Sequence, residues 1–335
     1  MCKVISVRHI FLILISFALT ACSGCARNGW HKEQGIIWTT QYHITYNGPS
    51  GLQDTVLSVL NSVDASLSAF NPNSLVSAIN QDSLGGSVDN LLEKVFFKSL
   101  EINEKSGGMF DPTVSPLINL WGFGFDGHSQ REPSSAQIDS ALTLVGIARC
   151  SISNHNLVKG SPGMQFNFSA IAKGYASDLV ADALQSAGAT ACMVEIGGEI
   201  VVRGNSPRGG KWRVSIDAPI AETPTTHTSM RVVEISSPCG IATSGNYRNF
   251  RQSAEGVVGH TISPLTGRPV QTDVLSATVI APTCLEADAL ATACMAMPSA
   301  DALQMIAGLS GVEALLVVSG DASQPWTVIT TPGFP

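Results

Sequence analysis

The chain has 335 residues, of which 44% are hydrophobic and only 13% are charged, so it can bury a large core and is not a disordered protein. Its length is compatible with one large domain or with two closely packed ones. The formal net charge of −7 argues against nucleic-acid binding, which requires a basic surface.

The N-terminus has the pattern of an export signal. Lys3 and Arg8 precede an apolar run, residues 10–19, that is too short to span a membrane as a mature helix. The run ends in LTAC, residues 19–22, which resembles the lipobox of bacterial lipoproteins. We therefore expect cleavage before Cys22 and acylation of its sulfur. The alternative is an ordinary signal peptide with an incidental cysteine, and in either case the protein leaves the cytoplasm.

The eight cysteines show no pattern of a metal site or of a disulfide framework. Three lie near the N-terminus, and the others are scattered singly beside small apolar residues, which is typical of small buried hydrophobic side chains. An oxidising compartment would permit a disulfide, but the sequence does not pair the cysteines. They stand at positions 2, 22, 25, 150, 192, 239, 284 and 294.

The first predicted elements are a β-rich start and two helices. Alternating apolar residues predict strand structure over residues 36–47. Apolar residues at helical spacing predict a helix over about 51–70, and a second helix over about 89–105 ends at a pair of glycines. The stretch FNPNS at 70–74 has the composition of a turn.

The middle of the chain combines a long helix with several strands. Residues 169–188 have a helical pattern that ends at a glycine. The stretch at 191–204 predicts a strand that is broken at two adjacent glycines. Two further strands, residues 211–217 and 230–236, flank a polar loop at 219–229 that we expect on the surface.

The C-terminal part continues to mix strands and helices. We expect a short strand pair around 257–264 and a strand over 275–282. Helices over 284–298 and 299–308 and a closing strand over 314–319 follow. Because strands and helices do not alternate strictly, the pattern favours an α+β fold over a doubly wound sheet.

Asp288 is out of place in the apolar helix predicted over 284–298, where an unpaired carboxylate is costly. Thr292 lies four residues further on, so its hydroxyl shares a helical face with the carboxylate. Two hard oxygen ligands on one face indicate a Mg²⁺ site. The alternative is that Asp288 caps a local turn and Thr292 is a neutral helix residue. These two residues alone do not decide between the readings.

Five glycine-rich or polar segments interrupt the apolar elements, and a site can be built at such breaks. The first contains Asp111 and three aromatic residues, and it has the features of a packed Ω-loop as well as of a site. In the second, Lys173 indicates either an anionic partner or a lysine that extends its ammonium to solvent. The glycines of the third allow close backbone approach. The segments are GGMFDPTVSPLINLWGFG (107–124), NFSAIAKG (167–174), EIGGE (195–199), ATSGNY (242–247) and GHTISPLTGRP (259–269).

The order of these segments resembles the FAD:protein FMN transferase family, also called the ApbE flavin transferases. The resemblance runs from about Trp38 to Val318 and rests on FDPTV, SAIAKGY, IGGE, ATSG, HTISPLTG and ADALAT, in that order. It implies one large ApbE-like, T-fold-like α+β domain over residues 36–335, with mixed β-sheets flanked by helices. Residues 1–21 would be the lipoprotein signal peptide, and 22–35 the linker to the lipid anchor.

The resemblance also implies a reaction. Members of the family cleave the pyrophosphate of FAD, transfer FMN to a Thr or Ser hydroxyl of an acceptor protein and release AMP, assisted by Mg²⁺. The acceptor would be an exported protein with a Thr/Ser flavinylation motif, such as a respiratory redox subunit. Two alternatives use the same site. One is a Mg²⁺-dependent FAD pyrophosphatase that yields FMN and AMP, and the other is a lipoprotein that binds FAD without turnover.

Individual residues match the motifs of the family. Asp288 and Thr292, with the backbone carbonyl of Ala170, match its Mg²⁺ ligands. His260 matches the residue proposed there as the proton acceptor. The positions that match FAD-binding positions are Trp38, Phe70, Met109, Phe110, Asp111, Asn167, Lys173, Gly197, Gly198, Thr243, Ser244, Gly245 and Ile262.

Two positions depart from the family pattern. Asn167 and Ser263 stand where the family usually has Asp. Each change removes a negative charge and keeps a hydrogen-bonding side chain. We expect Asn167 to alter adenine recognition and Ser263 to change the orientation of His260.

The resemblance supports export, because a lipobox is common in the family. We expect a lipid-anchored bacterial protein that faces the periplasm and contacts the membrane through the lipid on Cys22. Its partners would be FAD, the acceptor protein and the membrane, and not nucleic acid.

Overall fold

The computed structural model describes most of the chain. The described residues are 28–82, 84–123, 132–218, 228–245, 250–253, 256–259, 261–321 and 323–335. The predicted signal peptide and Cys22 lie outside these ranges, as does most of the loop at 219–229. Over the described ranges, no helix combines the length and the apolar character that crossing a bilayer requires.

The strands form the framework of the domain. A two-residue turn at Trp38 and Thr39 joins the first two strands, and the positive φ angles of 50° and 64° suit a tight hairpin turn. The first strand begins at Gly29, so residues 29–35 of the segment predicted as a linker belong to the sheet. The strands are β1 (Gly29–Ile37), β2 (Thr40–Gly48), β3 (Gly85–Ser87), β4 (Ser151–Ser153), β5 (Asn156–Val158), β6 (Ala191–Ile196), β7 (Glu199–Arg203), β8 (Trp212–Asp217), β9 (Ser229–Ile235), β10 (Cys239–Gly245), β11 (Phe250–Ser253), β12 (Gly256–Gly259), β13 (Val274–Ala281), β14 (Glu313–Ser319) and β15 (Trp326–Thr330).

Capping side chains mark where several helices begin. Asp89 accepts the N–H of Leu92 at the start of the third helix, and Ser134 forms a capping box with Gln137 at the start of the fifth. The helices predicted near 51–70, 89–105, 169–188 and 284–308 are confirmed, with slightly shorter bounds. The helices are α1 (Gln53–Leu67), α2 (Leu75–Gln81), α3 (Asn90–Lys105), α4 (Ser115–Leu120), α5 (Ser135–Leu142), α6 (Ala172–Ser186), α7 (Cys284–Met295) and α8 (Ser299–Ala307).

One large sheet organises the domain. It has eight strands in the order β1-β2-β6-β7-β10-β13-β14-β15, and each neighbouring pair is antiparallel. The smaller sheets are β3-β5-β4, β8-β9 and β11-β12. The α+β prediction is therefore confirmed, because helices and antiparallel strands build a single domain, and the described residues contain no βαβ unit.

Alternate side chains of the central strands pack into two cores, one on each face of the large sheet. On one face, Val201 and Leu316 pack in the main core, where α6 and α7 cover the sheet. On the other face, Val202 and Leu315 pack in a second core with Trp212 of β8. Successive side chains of a strand point to opposite faces, so a strand with both faces covered is apolar throughout. This explains why β14 is apolar at every position from 314 to 318.

Several elements were not predicted from the sequence. Strand β10 occupies most of the segment treated as a polar break, and β15 follows the strand predicted to close the chain. Helix α4 lies inside the segment 107–124, where an Ω-loop was one expectation. The strand pair expected around 257–264 is instead β11 paired with β12. These elements are short or rich in small polar residues, so their periodicity is weak.

Gly174 lies where helix α6 packs against helix α7. A Cβ atom at this position would lie 2.2 Å from the carbonyl oxygen of Cys284 and 2.7 Å from the Cβ of Asp288. Both distances are too short for carbon contacts, so only glycine permits this approach. The backbone of α6 therefore lies directly against the face of α7 that carries Asp288.

We expect Gly174→Ala to lower the free energy of unfolding by about 1–3 kcal/mol, although alanine is the better helix former, because the added methyl group forces the two helices apart. Urea unfolding measures the change. Gly29→Ala is the control, since no atom lies within 4 Å of a Cβ built there, and it should change the free energy by less than about 0.5 kcal/mol. Equal stability of Gly174→Ala and wild type would refute the close packing.

Candidate active site

A cavity of about 710 Å³ opens where α6, α7, β10 and the segment 107–124 meet. This volume lies within the usual range of small-molecule and cofactor sites. Most of the residues predicted from the sequence line it. They are Phe70, Met109, Phe110, Asp111, Asn167, Ala170, Lys173, Gly197, Thr243, Ser244, Gly245, Ile262, Asp288 and Thr292.

Helix α7, which carries two of these residues, is fixed at its start by side chains. Asp178 of α6 accepts the N–H groups of Cys284 and Leu285 at 3.0 and 2.8 Å. Thr283 accepts the N–H of Glu286 at 3.2 Å. The first N–H groups of a helix have no partner within the helix, so these acceptors satisfy donors that would otherwise be buried without one.

Asp288 is buried, with 2% of its surface exposed. Its Oδ2 accepts the N–H of Gly174 at 2.9 Å, whereas its Oδ1 accepts no hydrogen bond from the described residues. Gly174 is the third residue of α6, so its N–H is one of the donors at the start of a helix that have no partner within the helix, and Asp288 satisfies it. The carbonyl of Ala170, which lies just before the start of α6, also accepts no hydrogen bond within the described part of the chain.

Thr292 lies one helical turn beyond Asp288 and faces strand β10. Its hydroxyl is 3.4 Å from the hydroxyl of Ser244, and the neighbouring Thr243 is hydrogen-bonded to Thr278 at 2.8 Å. Asp288, Thr292 and Ala170 all line the cavity. They supply a carboxylate, a hydroxyl and a carbonyl oxygen, and such hard oxygen donors suit Mg²⁺. No group of three or more His, Cys, Asp and Glu side chains with the arrangement of a metal site occurs in the described ranges.

Lys173 lies between two buried carboxylates. Its Nζ donates to Oε1 of Glu199 at 2.8 Å. Burial raises the pKa of Glu199 to about 8 and also raises the pKa of Asp288, while the Lys173 ammonium opposes both shifts. Burial alone would lower the pKa of Lys173, but the Asp288 and Glu199 carboxylates raise it above its usual range. A divalent cation close to the two acids would favour their charged forms, because a nearby positive charge lowers the pKa of a carboxyl group.

The segment 107–124 is held by the carboxylate of Asp111. Its Oδ1 accepts from the N–H and the hydroxyl of Thr113 at 2.8 and 2.5 Å, and its Oδ2 accepts the N–H of Ile147 at 2.9 Å. Burial raises the pKa of Asp111, although these donors lower it. Asp111 therefore shapes the wall of the cavity, while Met109 and Phe110 supply its apolar surface.

The two residues that depart from the family pattern make local contacts. The side-chain oxygen of Asn167 accepts the N–H of Ser169 at 2.9 Å, and the backbone N–H of Asn167 donates to the carbonyl of Pro112 at 2.7 Å. Ser263 is buried, and its hydroxyl accepts the N–H of Thr266 at 3.2 Å. Both polar side chains thus stabilise turns, and Asn167 also lines the cavity.

Some predicted residues do not join this site. Trp38 donates through its indole N–H to Asp64 at 2.9 Å and packs against the main core, so it does not line the cavity. Gly198 lies beside Gly197 in the turn before β7, where its N–H donates to Glu195 at 2.7 Å. His260 and Cys22 lie outside the described residues.

The sequence reasoning missed Glu199. This residue lines the cavity and contacts Lys173, and it follows the two glycines of the EIGGE segment. The sequence feature that identifies it is an acidic residue at the start of a strand whose next three residues are apolar. The described cysteines are buried and free, as their apolar neighbours predicted.

The fold and the cavity define a class of ligand-binding α+β domain in which buried acids, a lysine and hydroxyl groups surround a cavity of cofactor size. The model of the ApbE family matches residues 38–316. The chain therefore belongs to the ApbE family.

Relatives and solved structures agree with this assignment. The FAD:protein FMN transferase of Vibrio cholerae is 33% identical over 325 residues, which cover 94% of this chain and 95% of the relative. The FAD:protein FMN transferase of Escherichia coli K12 is 31% identical, with 88% and 85% covered. The structure of the Pseudomonas stutzeri flavinyl transferase ApbE, apo form, has a TM-score of 0.82 at 31% identity and covers 91% of this chain and 95% of that one.

The cap on α7 predicts a pH dependence of stability. Burial raises the pKa of Asp178 from 3.8 to about 6. The N–H groups of Leu285 and Cys284 and the charge of Arg203 lower this pKa, but by less than burial raises it. Between these pH values the folded protein keeps a proton that the unfolded chain has lost, so stability falls as pH rises through the window. We expect wild type to lose about 3 kcal/mol relative to Asp178→Asn between about pH 4 and pH 7 in urea unfolding. Parallel pH curves for the two proteins would contradict the raised pKa.

Proposed function

We propose that this protein transfers FMN from FAD to a Thr or Ser hydroxyl of an acceptor protein and releases AMP. The observation that carries the proposal is the group of oxygen donors from Asp288, Thr292 and Ala170 beside the Lys173 ammonium in one cavity. Membership of the ApbE family supports it, because the relatives compared above are FAD:protein FMN transferases.

The proposed reaction exchanges one phosphorus–oxygen bond for another. The acceptor hydroxyl attacks the phosphorus of the FMN half, and a bond forms between that phosphorus and the acceptor oxygen. The bond from this phosphorus to the bridging oxygen breaks, and AMP leaves with that oxygen. The proton of the hydroxyl passes to a base, and nothing is oxidised or reduced.

Residues of the cavity account for the charge in this reaction. Mg²⁺ held by Asp288, Thr292 and the Ala170 carbonyl would neutralise the pyrophosphate oxygens. Lys173 uses one N–H for Glu199, so its other two can donate to phosphate oxygens. Apolar side chains of the cavity wall, including Met109 and Phe123, suit the flavin rings.

We assign the role of proton acceptor to His260. The assignment rests on the resemblance of the HTISP motif and on the positions of Thr261 and Ile262, which directly follow His260 and line the cavity. The hydroxyl of Ser263 is used within its own turn. The imidazole would therefore act without the Asp that usually stands at position 263 in the family.

We test the activity with purified protein, FAD, MgCl₂ and an acceptor protein that carries a Thr/Ser flavinylation motif. Flavin fluorescence should appear on the acceptor band, with one AMP released for each flavin attached. A matched acceptor with Ala in place of the Thr or Ser should stay unlabelled. Release of AMP and free FMN at the same rate with either acceptor would instead identify a pyrophosphatase, and FAD binding without AMP release would identify a storage protein.

Two variants in this assay test the assigned roles. Asp288→Asn should slow AMP release by roughly 10²-fold or more, because it removes the charged metal ligand. His260→Asn should slow it roughly 10²–10⁴-fold with FAD affinity unchanged, because a positioned base contributes that much. Glu286→Gln on α7 is the control, since Glu286 pairs with Lys105 outside the cavity at 3.6 Å. Wild-type rates in either active-site variant would refute its role.

We further propose that the protein is a lipoprotein that faces the periplasm. The support is the signal-like N-terminus and the LTAC sequence before the domain. Acylation of Cys22 would hold the domain at the membrane, where exported acceptor proteins can reach it. The anchor would thus place the enzyme and its acceptors in the same compartment.

Cys22→Ser removes the sulfur that would carry the lipid. We expect the variant to move from the membrane fraction to the soluble fraction, because the domain would have lost its anchor. Fractionation followed by immunoblotting measures the shift, and wild-type protein is the control. A variant that stays in the membrane fraction would show that another segment anchors the chain.

A further inference from the structure

Glu199 is a buried acid that lines the cavity and contacts Lys173. Only 5% of its side chain is exposed, and its Oε1 accepts from Lys173. Its Oε2 is buried and has no hydrogen-bond partner among the residues that the structure describes. A buried carboxylate oxygen without a partner is costly, so selection for stability alone does not explain it.

The backbone places Glu199 firmly. It is the first residue of β7 and pairs with Ile196 across the two-glycine turn. The hydroxyl of Ser177 lies 3.1 Å from the carbonyl oxygens of both Glu199 and Lys173, which share its single proton. Strand β7 and helix α6 are therefore tied together at the point where the two charged side chains meet.

Lys173 has two acids within its electrostatic reach, yet it is hydrogen-bonded to only one of them among the described residues. The ammonium donates to Glu199 and makes no ion pair with Asp288 within 4.0 Å. The Oδ1 of Asp288 is consequently left without a hydrogen bond from the described residues. If Glu199 were absent, Asp288 would be the remaining acid of the cavity near the ammonium, and the lysine would compete with a metal ion for it.

We propose that Glu199 is a positioning residue, which holds the Lys173 ammonium away from Asp288 and so keeps the free oxygen of Asp288 available to a divalent cation. This inference rests on the proposed function, because it concerns the same site. It adds a specific role for an acid that acts on the metal site through Lys173.

The test is calorimetric titration of MgCl₂ into the purified protein without FAD. Glu199→Gln should bind Mg²⁺ about 10- to 100-fold more weakly than wild type, the usual loss when a partner of the metal site is removed. Glu199→Asp keeps the charge, but its side chain is one methylene group shorter and loses the hydrogen bond to Lys173. This variant should therefore also bind Mg²⁺ more weakly than wild type. A purely long-range charge effect predicts wild-type affinity for Glu199→Asp, and that result would overturn the proposal.

A double variant separates the role of Glu199 from a general loss of structure. Lys173→Met combined with Glu199→Gln removes the competing ammonium, so Mg²⁺ affinity should return to within a few-fold of wild type, while AMP release from FAD stays low. Failure of the double variant to recover affinity would overturn the proposal. Glu286→Gln carries the same change of charge on α7 outside the cavity and should titrate like wild type.

The same titrations keep this inference distinct from the proposed function. A wild-type protein that binds Mg²⁺ but releases no AMP would overturn the transferase function, while the affinities of the Glu199 variants would still decide the role of Glu199. A wild-type protein that binds no Mg²⁺ would overturn the metal site and the role of Glu199 together.

Discussion

The hydrogen bond from the N–H of Gly174 to Asp288 is the interaction on which the site depends. It satisfies one oxygen of a buried carboxylate and leaves the other free. It also satisfies a donor at the start of α6 that has no partner within that helix, and the Ala170 carbonyl just before the helix accepts no hydrogen bond from the described residues. The contact requires α6 and α7 to lie closer than any residue with a Cβ at position 174 would allow.

The surrounding fold maintains this approach of two helices. Helix α7 packs on β10 and β13, which are central strands of a sheet that is covered on both faces. Asp178 ties the start of α7 to α6, and Ser177 ties α6 to β7. Because the anchors are hydrogen bonds between buried groups, a small shift of either helix would leave several polar atoms unsatisfied. The charged residues of the cavity are thus held in place by the core.

The elements with strong periodicity could be predicted from the sequence. Helices α1, α3, α6 and α7 have long apolar patterns with clear ends, and the glycine break between β6 and β7 was visible. Strand β10 was not, because its ATSG end reads as a polar loop until it is paired with β13. Strand β15 and helix α4 are too short for a pattern to separate them from loops. Their structure depends on neighbours that lie far away in the sequence.

For the site, the sequence alone determined the residue types and their local spacing. The i,i+4 relation of Asp288 and Thr292 follows from the period of a helix, and it placed both on one face. Only the tertiary structure decided which groups are free to bind. It placed Glu199 against Lys173, directed the carboxylate of Asp111 to the N–H of Thr113 in the same loop, and packed Trp38 against the core. The physical reason is that burial and hydrogen-bond partners are properties of residues brought together from distant parts of the chain.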